Sequence, residues 1–343
     1  MPFSSGTLHV PQALVDLCVA YTPDEDDYIR NLFFPRKPVQ HDTDKIRVID
    51  KAEQLRLYDL DMAPNAVAPS IEYRVGANLT YQCQPYSGRA PVNSYEIANA
   101  DAALQHELRQ TRKVLTAMGI RMEYAALQTL RDTSVMTSNE TLSVGAGNRW
   151  DNFGSSSSTP IEDLQASVSQ VRIKTGRSRK KGRIKVAMHE FVWMSLMQHP
   201  NVIQRAIFTG GPGAQLTEAI LAGWLGIQAA DIVVTAAQYT SSAQGAATTT
   251  YSSFIGPDVI VAFVDDGGLD DYCLGHEFVF NAMGGDEPFF IRKYRVEQEG
   301  IAGLDYVQVA TSAQYKATNA AEAGFLIKSV LDTTNTARYA GLL

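Results

Sequence analysis

The chain has 343 residues, 45% hydrophobic and 20% charged, with 13 Phe, 15 Tyr and 3 Trp, and a formal charge of −7. That balance supports a sizeable core and excludes a chain disordered or fibrous throughout, while the negative sum excludes the globally basic surface of a dedicated nucleic-acid binder. Cys18, Cys83 and Cys273 lie far apart with no CxxC pair, and the chain has neither a basic-then-apolar leader nor a long apolar run, so the expectation is a soluble, unexported protein of a reducing interior, without disulfide framework, zinc site or membrane span.

Residues 1–45 read as an extended arm. Pro2, Pro11, Pro23, Pro35 and Pro38 interrupt it, Asp24-Glu25-Asp26-Asp27 makes it acidic, and one short helix from Gln12 to Ala20 is expected after Pro11. Its apolar residues Leu8, Val10, Leu14, Leu17, Phe33 and Phe34 are too many for a free tail, so the arm must lie against something, and the expectation is that neighbouring copies supply the shelter. From Ile46 to Val92 the period changes to two. Ile71 to Val75 and Leu79 to Cys83 alternate apolar with polar around Gly76-Ala77-Asn78, which predicts a projecting β-hairpin with a three-residue turn. Pro64 and Pro69 before it and Pro85, Gly88 and Pro91 after it predict flexible joints on either side.

Ile97, Leu104, Leu108, Leu115, Met118, Met122, Ala126 and Leu130 recur at the spacing of one helical face. A long helix from Ser94 to Arg131 follows, with Asn93 to Glu96 as its capping box and one apolar stripe, a beam along an edge of the molecule. After a Gly/Ser-rich stretch from Ser143 to Ser158, Thr159-Pro160-Ile161-Glu162 carries the start signals of a second helix. Ile161, Leu164, Val168 and Val171 form its buried stripe and Gly176 its terminator. A strand at Ile184–Met188 is predicted next, then a helix with Phe191, Trp193, Met194 and Met197 that stops near His199-Pro200, and a short helix from Thr217 to Leu225. Ile232 to Thr235 and Val259 to Val264 are β-branched runs typical of strands covered on both faces. The C-terminal stretch from Phe289 to Leu331 mixes alternating strand patterns with turns.

Catalytic motifs fail one by one. His189-Glu190 has Trp193 where a zinc helix needs its second histidine, and His276-Glu277 fails in the same way at Phe280. His189 is expected to end a strand and cap a helix. Gly210-Gly211-Pro212-Gly213 lacks a P-loop lysine and reads as a loop; Asp265-Asp266-Gly267-Gly268-Leu269-Asp270-Asp271 is the best metal candidate, but it lacks the alternation of a calcium loop and reads as a turn. No cysteine is paired with a histidine by sequence, and no catalytic, cofactor or metal residue is expected. One charge feature stands out. Lys174, Arg177, Arg179, Lys180, Lys181, Arg183 and Lys185 place +7 in one stretch, leaving −14 on the rest of the chain. A solvated turn, a contact with another copy, for instance through Asp24 to Asp27, and nucleic-acid phosphate bound without sequence preference are three readings of it.

The order of arm, projecting hairpin, long edge helix and compact α/β body resembles the tailed-bacteriophage major capsid proteins of the Hong Kong 97-type (Johnson) fold. The phrasing is similar as well: Trp150 before the serine-rich linker, Thr159 to Leu164, Val186-Ala187-Met188 through Trp193, His199-Pro200-Asn201-Val202, Ile255 to Val264, and Ala323-Gly324-Phe325-Leu326-Ile327. The resemblance implies an α+β fold divided into N-arm (1–45), E-loop hairpin (46–93), P domain with its spine helix (94–157), A domain with a central mixed sheet (158–288) and a return to the P domain (289–343). It implies no enzyme but a shell subunit. Pentamers and hexamers would form the icosahedral head around double-stranded DNA in the virion, assembled in the cytoplasm of a bacterial host. Portal, scaffolding and decoration proteins would be the partners, the scaffold being a separate protein because the arm begins close to Met1. Two rival readings are an encapsulin-like compartment, which shares the fold, and a metal-dependent hydrolase using Asp265, Asp266 and His276.

Overall fold

The computed structural model of the chain describes residues 28–49, 56–58, 60–61, 68, 75–92, 103–176, 183–211, 213–243, 245–265, 273–280, 289–299 and 304–334. Strands β1 (Arg36–Val39), β11 (Gly275–Phe280), β13 (Leu304–Ala317) and β12 (Phe290–Val296) form one sheet in that order, with β4 (Gln84–Val92) also paired to β13. A second, mixed sheet runs β5 (Asn139–Thr141), β14 (Gly324–Lys328), β10 (Val259–Val264), β6 (Arg183–His189) and β7 (Ile232–Thr235). Helix α2 (Ala103–Arg131) lies along the first sheet, and α3 (Pro160–Thr175) packs on the second.

The patterns that built these elements are simple. All six residues of β10 are buried, as a β-branched run covered on both faces requires. In β13 the burial alternates, with Val307, Val309, Thr311, Ala313 and Tyr315 turned inward. Helix α2 is 29 residues long, ~43 Å at 1.5 Å per residue. Leu115, Met118, Met122, Ala126 and Leu130 are its buried stripe, as their spacing predicts; the expected cap at Asn93 to Glu96 lies outside the described residues. Helix α3 buries Ile161, Leu164, Val168 and Val171 and ends on Gly176 in the left-handed conformation at φ 66°. Its expected cap is different in detail. The Thr159 hydroxyl donates to Asp163 Oδ1 at 3.2 Å, and the buried Trp150 indole donates to the other oxygen at 2.8 Å. The carboxylate serves the tryptophan rather than Thr159 serving the helix amides.

Against the second sheet and α3 lie α4 (Glu190–Gln198), α5 (Pro200–Gly210) and α6 (Glu218–Leu225), with a small β8 (Gln238–Thr240) and β9 (Tyr251–Ser253) pair. Thr217 caps α6 by accepting from the Ile220 amide. Helix α5 has no counterpart among the expected elements: His199-Pro200 ends α4, as predicted, and Pro200 then serves as the first residue of a new helix.

The ribbon departs from expectation more sharply. β2 (Thr43–Ile49) pairs antiparallel with β3 (Val75–Gln82), in register Thr43 with Gln82 and Ile46 with Leu79. Gly76-Ala77-Asn78, expected as the turn, lies within β3, so the two strands are joined by residues 50–74, and Ile71 to Arg74 lie outside the described residues. The ribbon therefore begins at Thr43, inside the stretch assigned to the arm. Pro85, Gly88 and Pro91 do not make a joint either; they belong to a nine-residue strand on β13. A strand with one described partner tolerates two prolines because alternate amides point away from that partner.

Candidate functional site

The residues with catalytic potential do not converge. His189 ends β6 and its Nδ1 accepts from the Phe191 amide at 3.2 Å, so it caps α4 as the sequence predicts. Burial lowers its pKa to about 4, which keeps it neutral. Cys273 Sγ stands 3.5 Å from His276 Nε2, a pairing that sequence reasoning missed. Both side chains are buried, and burial, with Lys37 adding to it, lowers the His276 pKa to about 4. An imidazole of such low basicity is a poor acceptor for the thiol proton. Asp265 follows β10, Asp266 lies outside the described residues, and no group of three metal-ligating side chains occurs among the described residues. Gly210, expected in a loop, closes α5 instead, and Gly211 and Gly213, both at φ 89°, follow it.

What the structure does bring together is a pair of buried carboxylates that hold the arm. Glu123, in mid-α2, is fully buried and accepts from the amides of Ile29 at 3.0 Å and Arg30 at 3.1 Å. These amides open the short α1 (Arg30–Phe33), whose Arg30 guanidinium donates to the Gly119 carbonyl at 2.9 Å. Glu277, in β11, accepts from Arg36 Nε at 3.1 Å and from the Tyr315 hydroxyl at 2.8 Å. Burial, more than the Glu277 charge, pushes the Tyr315 pKa well up. Between the two clamps Phe33 and Phe34 are buried in the main core. The expectation that neighbouring copies shelter these two rings is thus corrected: residues 28–39 dock on their own body, β1 pairing in parallel with β11. The earlier apolar residues, Leu8 to Leu17, and the expected Gln12–Ala20 helix lie outside the described residues. Glu123 gave no signal because periodicity marks apolar stripes, and an acid one position beside such a stripe reads as solvent-facing.

The basic stretch is divided by the fold. Lys174 closes α3 and donates to Ser138 Oγ at 2.6 Å and to the Ala321 carbonyl at 3.3 Å, so it is tied to the body. Arg183 is exposed at the start of β6, and Lys185 is half-buried opposite Ala262 of β10. Arg177, Arg179, Lys180 and Lys181 lie outside the described residues. Elsewhere, α5 leaves Ile203, Ile207 and Phe208 exposed, the last at 94%, and α4 leaves Met194 exposed. A cavity of about 450 Å³ between Met197, Ile203, Ile207 and Leu216 adjoins them. Exposed apolar side chains lining such a cavity are a feature of interaction surfaces in folded proteins.

As a whole the chain shares its fold with solved phage capsid structures. Among solved structures, a phage-related protein from Bordetella bronchiseptica RB50 superposes with TM-score 0.68 at 18% identity, over 94% of this chain and 97% of that one. The capsid of the cyanophage P-SCSP1u matches with TM-score 0.55 at 10% identity, over 90% of each chain, and a virus-like particle from Pyrococcus furiosus with TM-score 0.50 at 11% identity, over 92% and 97%. No protein-family model matches the chain, and no curated protein matches its sequence. Among the described residues no helix is long and apolar enough to cross a membrane.

Proposed function

We propose that the chain is a major capsid protein, which assembles through pentamers and hexamers into the icosahedral head of a tailed phage and encloses its double-stranded DNA. The observation that carries this reading is the likeness of fold over nine-tenths of the chain to a phage capsid, covering nine-tenths of that capsid chain as well. In this reading the arm ends where the ribbon begins at Thr43, the E-loop runs from there to residue 93, the P domain is 94–157 with 289–343, and the A domain is 158–288. The exposed apolar end of α5 supports it, since a closed monomer has no use for Phe208 in water. Subunits would assemble in the host cytoplasm and remain in the virion, with portal, scaffolding and decoration proteins as partners.

The test is sedimentation of the full-length recombinant chain. Closed particles of megadalton mass are expected, because burying apolar area at ~25 cal/mol per Å² in several contacts per copy stabilises a closed shell cooperatively. A 37.5 kDa monomer that persists at concentrations of tens of micromolar, with or without a scaffolding partner, overturns the reading. A second reading, a shell around protein cargo in the manner of encapsulins, draws on the likeness to the virus-like particle; nuclease-protected DNA in particles from infected cells decides between them.

We assign Lys174, Arg177, Arg179, Lys180, Lys181, Arg183 and Lys185 to a non-specific contact with the packaged DNA, with Lys174 the least available because it is held by Ser138 and Ala321. Replacing Arg177, Arg179, Lys180 and Lys181 by Gln is expected to leave particle formation intact while weakening retention of DNA in opened particles and flattening its salt dependence by about four counterions. Failure to assemble places the stretch at a subunit contact instead.

A further inference from the structure

Helix α4 is bracketed by two buried histidines, His189 before its first residue and His199 after its last. Hydrogen bonding fixes the proton on each ring. His189 Nδ1 accepts from the Phe191 amide at 3.2 Å, so the ring's proton is on Nε2, a buried atom without a partner among the described residues. The Ser158 hydroxyl donates to the Arg149 carbonyl at 2.8 Å and therefore accepts from His199 Nε2 at 3.1 Å, which leaves His199 Nδ1 bare, buried and equally unpartnered. Both rings are neutral in this arrangement, and neither has a place for a second proton. On His189 that proton would turn the acceptor of the cap into a donor facing the Phe191 amide; on His199 it would put an N–H where no acceptor stands.

Nearby charges do not supply the missing partners. Glu190 follows His189 and is exposed, and Asp258, which precedes the β10 residue paired with Met188, has its oxygens engaged by Arg131 and the Ser329 amide. On β7, Thr235 stands opposite His189, and Asp231 lies at the strand's other end. Beside His199, Glu162 is exposed and paired with Arg205, and Arg149 is paired with Asp332. Burial lowers the pKa of both rings, with Glu162 opposing it at His199. Helix α4 in turn closes an apolar space, since Met197 lines the cavity of about 450 Å³ with Ile203 and Ile207 of α5 and with Leu216.

We propose that His189 and His199 form an acid-sensitive latch, which holds α4 on the second sheet while both rings are neutral and releases it, opening the apolar cavity, when either takes up a proton. In the released helix both histidines titrate near the ordinary value of about 6.5. The hold is therefore complete above that pH and is lost as pH falls toward about 4, where His189 protonates in place. The latch is a property of one chain and does not depend on shell formation.

Hydrogen exchange of the full-length chain at pH 7 and pH 4, corrected for the intrinsic pH dependence of amide exchange, tests it. Protection across residues 190–198 is expected to fall by about a hundredfold, the ratio set by a pKa of about 6.5 in the open helix and about 4 in the closed one. Helices α3 and α6, which carry no histidine, are expected to keep theirs. His189→Asn, whose side-chain oxygen still caps the helix, combined with His199→Gln is expected to flatten the dependence. Protection of α4 that is equal at the two pH values, or that falls equally in α3 and α6, overturns the latch, as does a double variant with the wild-type response. Should the double variant not fold, the wild-type comparison of α4 with α3 and α6 decides by itself.

Discussion

Gly275→Val is expected to destabilise the fold severely and to cut the yield of soluble protein. Gly275 opens β11 opposite Ala317 of β13, and a Cβ there would lie 2.2 Å from the Lys316 carbonyl oxygen and 2.7 Å from Ala317 Cα. Both are backbone atoms of the neighbouring strand, so no side chain can swing aside, and the two strands must separate. The damage then spreads, because β11 also carries Glu277, which holds Arg36, and Phe278, which stacks on Tyr81 of the ribbon at 4.8 Å. A loss of about 4–5 kcal/mol is expected, a large share of the ~5–15 kcal/mol that holds a typical domain. Urea unfolding and soluble yield measure it. A soluble valine variant with the wild-type midpoint shows that the strands are looser than described.

The second large effect is expected at Glu123. Glu123→Ala leaves the amides of Ile29 and Arg30 without their acceptor and the buried Arg30 without its countercharge, Arg30 Nε being already unpartnered. Leaving two buried amides without an acceptor costs about 3–5 kcal/mol for the pair. Because the contact joins residues 28–39 to the body, hydrogen exchange there is expected to rise before the second sheet responds. Equal exchange in both regions contradicts this.

Glu123 also sets a pH dependence. Burial raises its pKa to about 7, against the opposing pull of the Ile29 and Arg30 amides and the Arg30 charge; Arg30, Tyr315 and, beyond it, Glu277 are the charged or titratable groups that face it. The folded chain therefore holds this proton more tightly than the unfolded chain. Its stabilising contribution is complete below about pH 4.5 and is lost as pH rises through about 7, on the order of 3 kcal/mol for a shift of this size. His189 and His276, with lowered pKa values, act in the opposite sense, so the difference between wild type and Glu123→Gln isolates the carboxyl. Thermal unfolding from pH 5 to 8 is expected to show the wild type losing stability relative to the glutamine variant. Parallel curves would falsify this account.

How much could be read in advance depended on the kind of interaction. The stripe of α2, the stripe and terminator of α3, the β-branched run of β10 and the His189 cap all rest on neighbours within a few residues in the chain, and all appear where the pattern placed them, whereas β7, expected to be covered on both faces, lies at the sheet edge with Val233 and Val234 half-buried. The turn at Gly76 to Asn78 misled because glycine marks a turn only when no distant strand claims the segment; here Thr43–Ile49 claims it across residues 50–74. The prolines of β4 misled for a related reason, since β13 lies more than two hundred residues away.

Local spacing by itself determined helices α2, α3, α4 and α6, the buried strands β6 and β10, the absence of a recognisable catalytic motif and the order of parts that resembles a capsid subunit, but not α1 or α5. Only the tertiary structure decided that Phe33 and Phe34 are sheltered by their own chain, that Glu123 and Glu277 clamp the arm, and that Cys273 meets His276. The physical reason is that a side chain's periodicity reports which face turns away from water, whereas the partners of Glu123 lie 93 and 94 residues away and Arg36 lies 241 residues from Glu277, and only the folded backbone specifies such approaches.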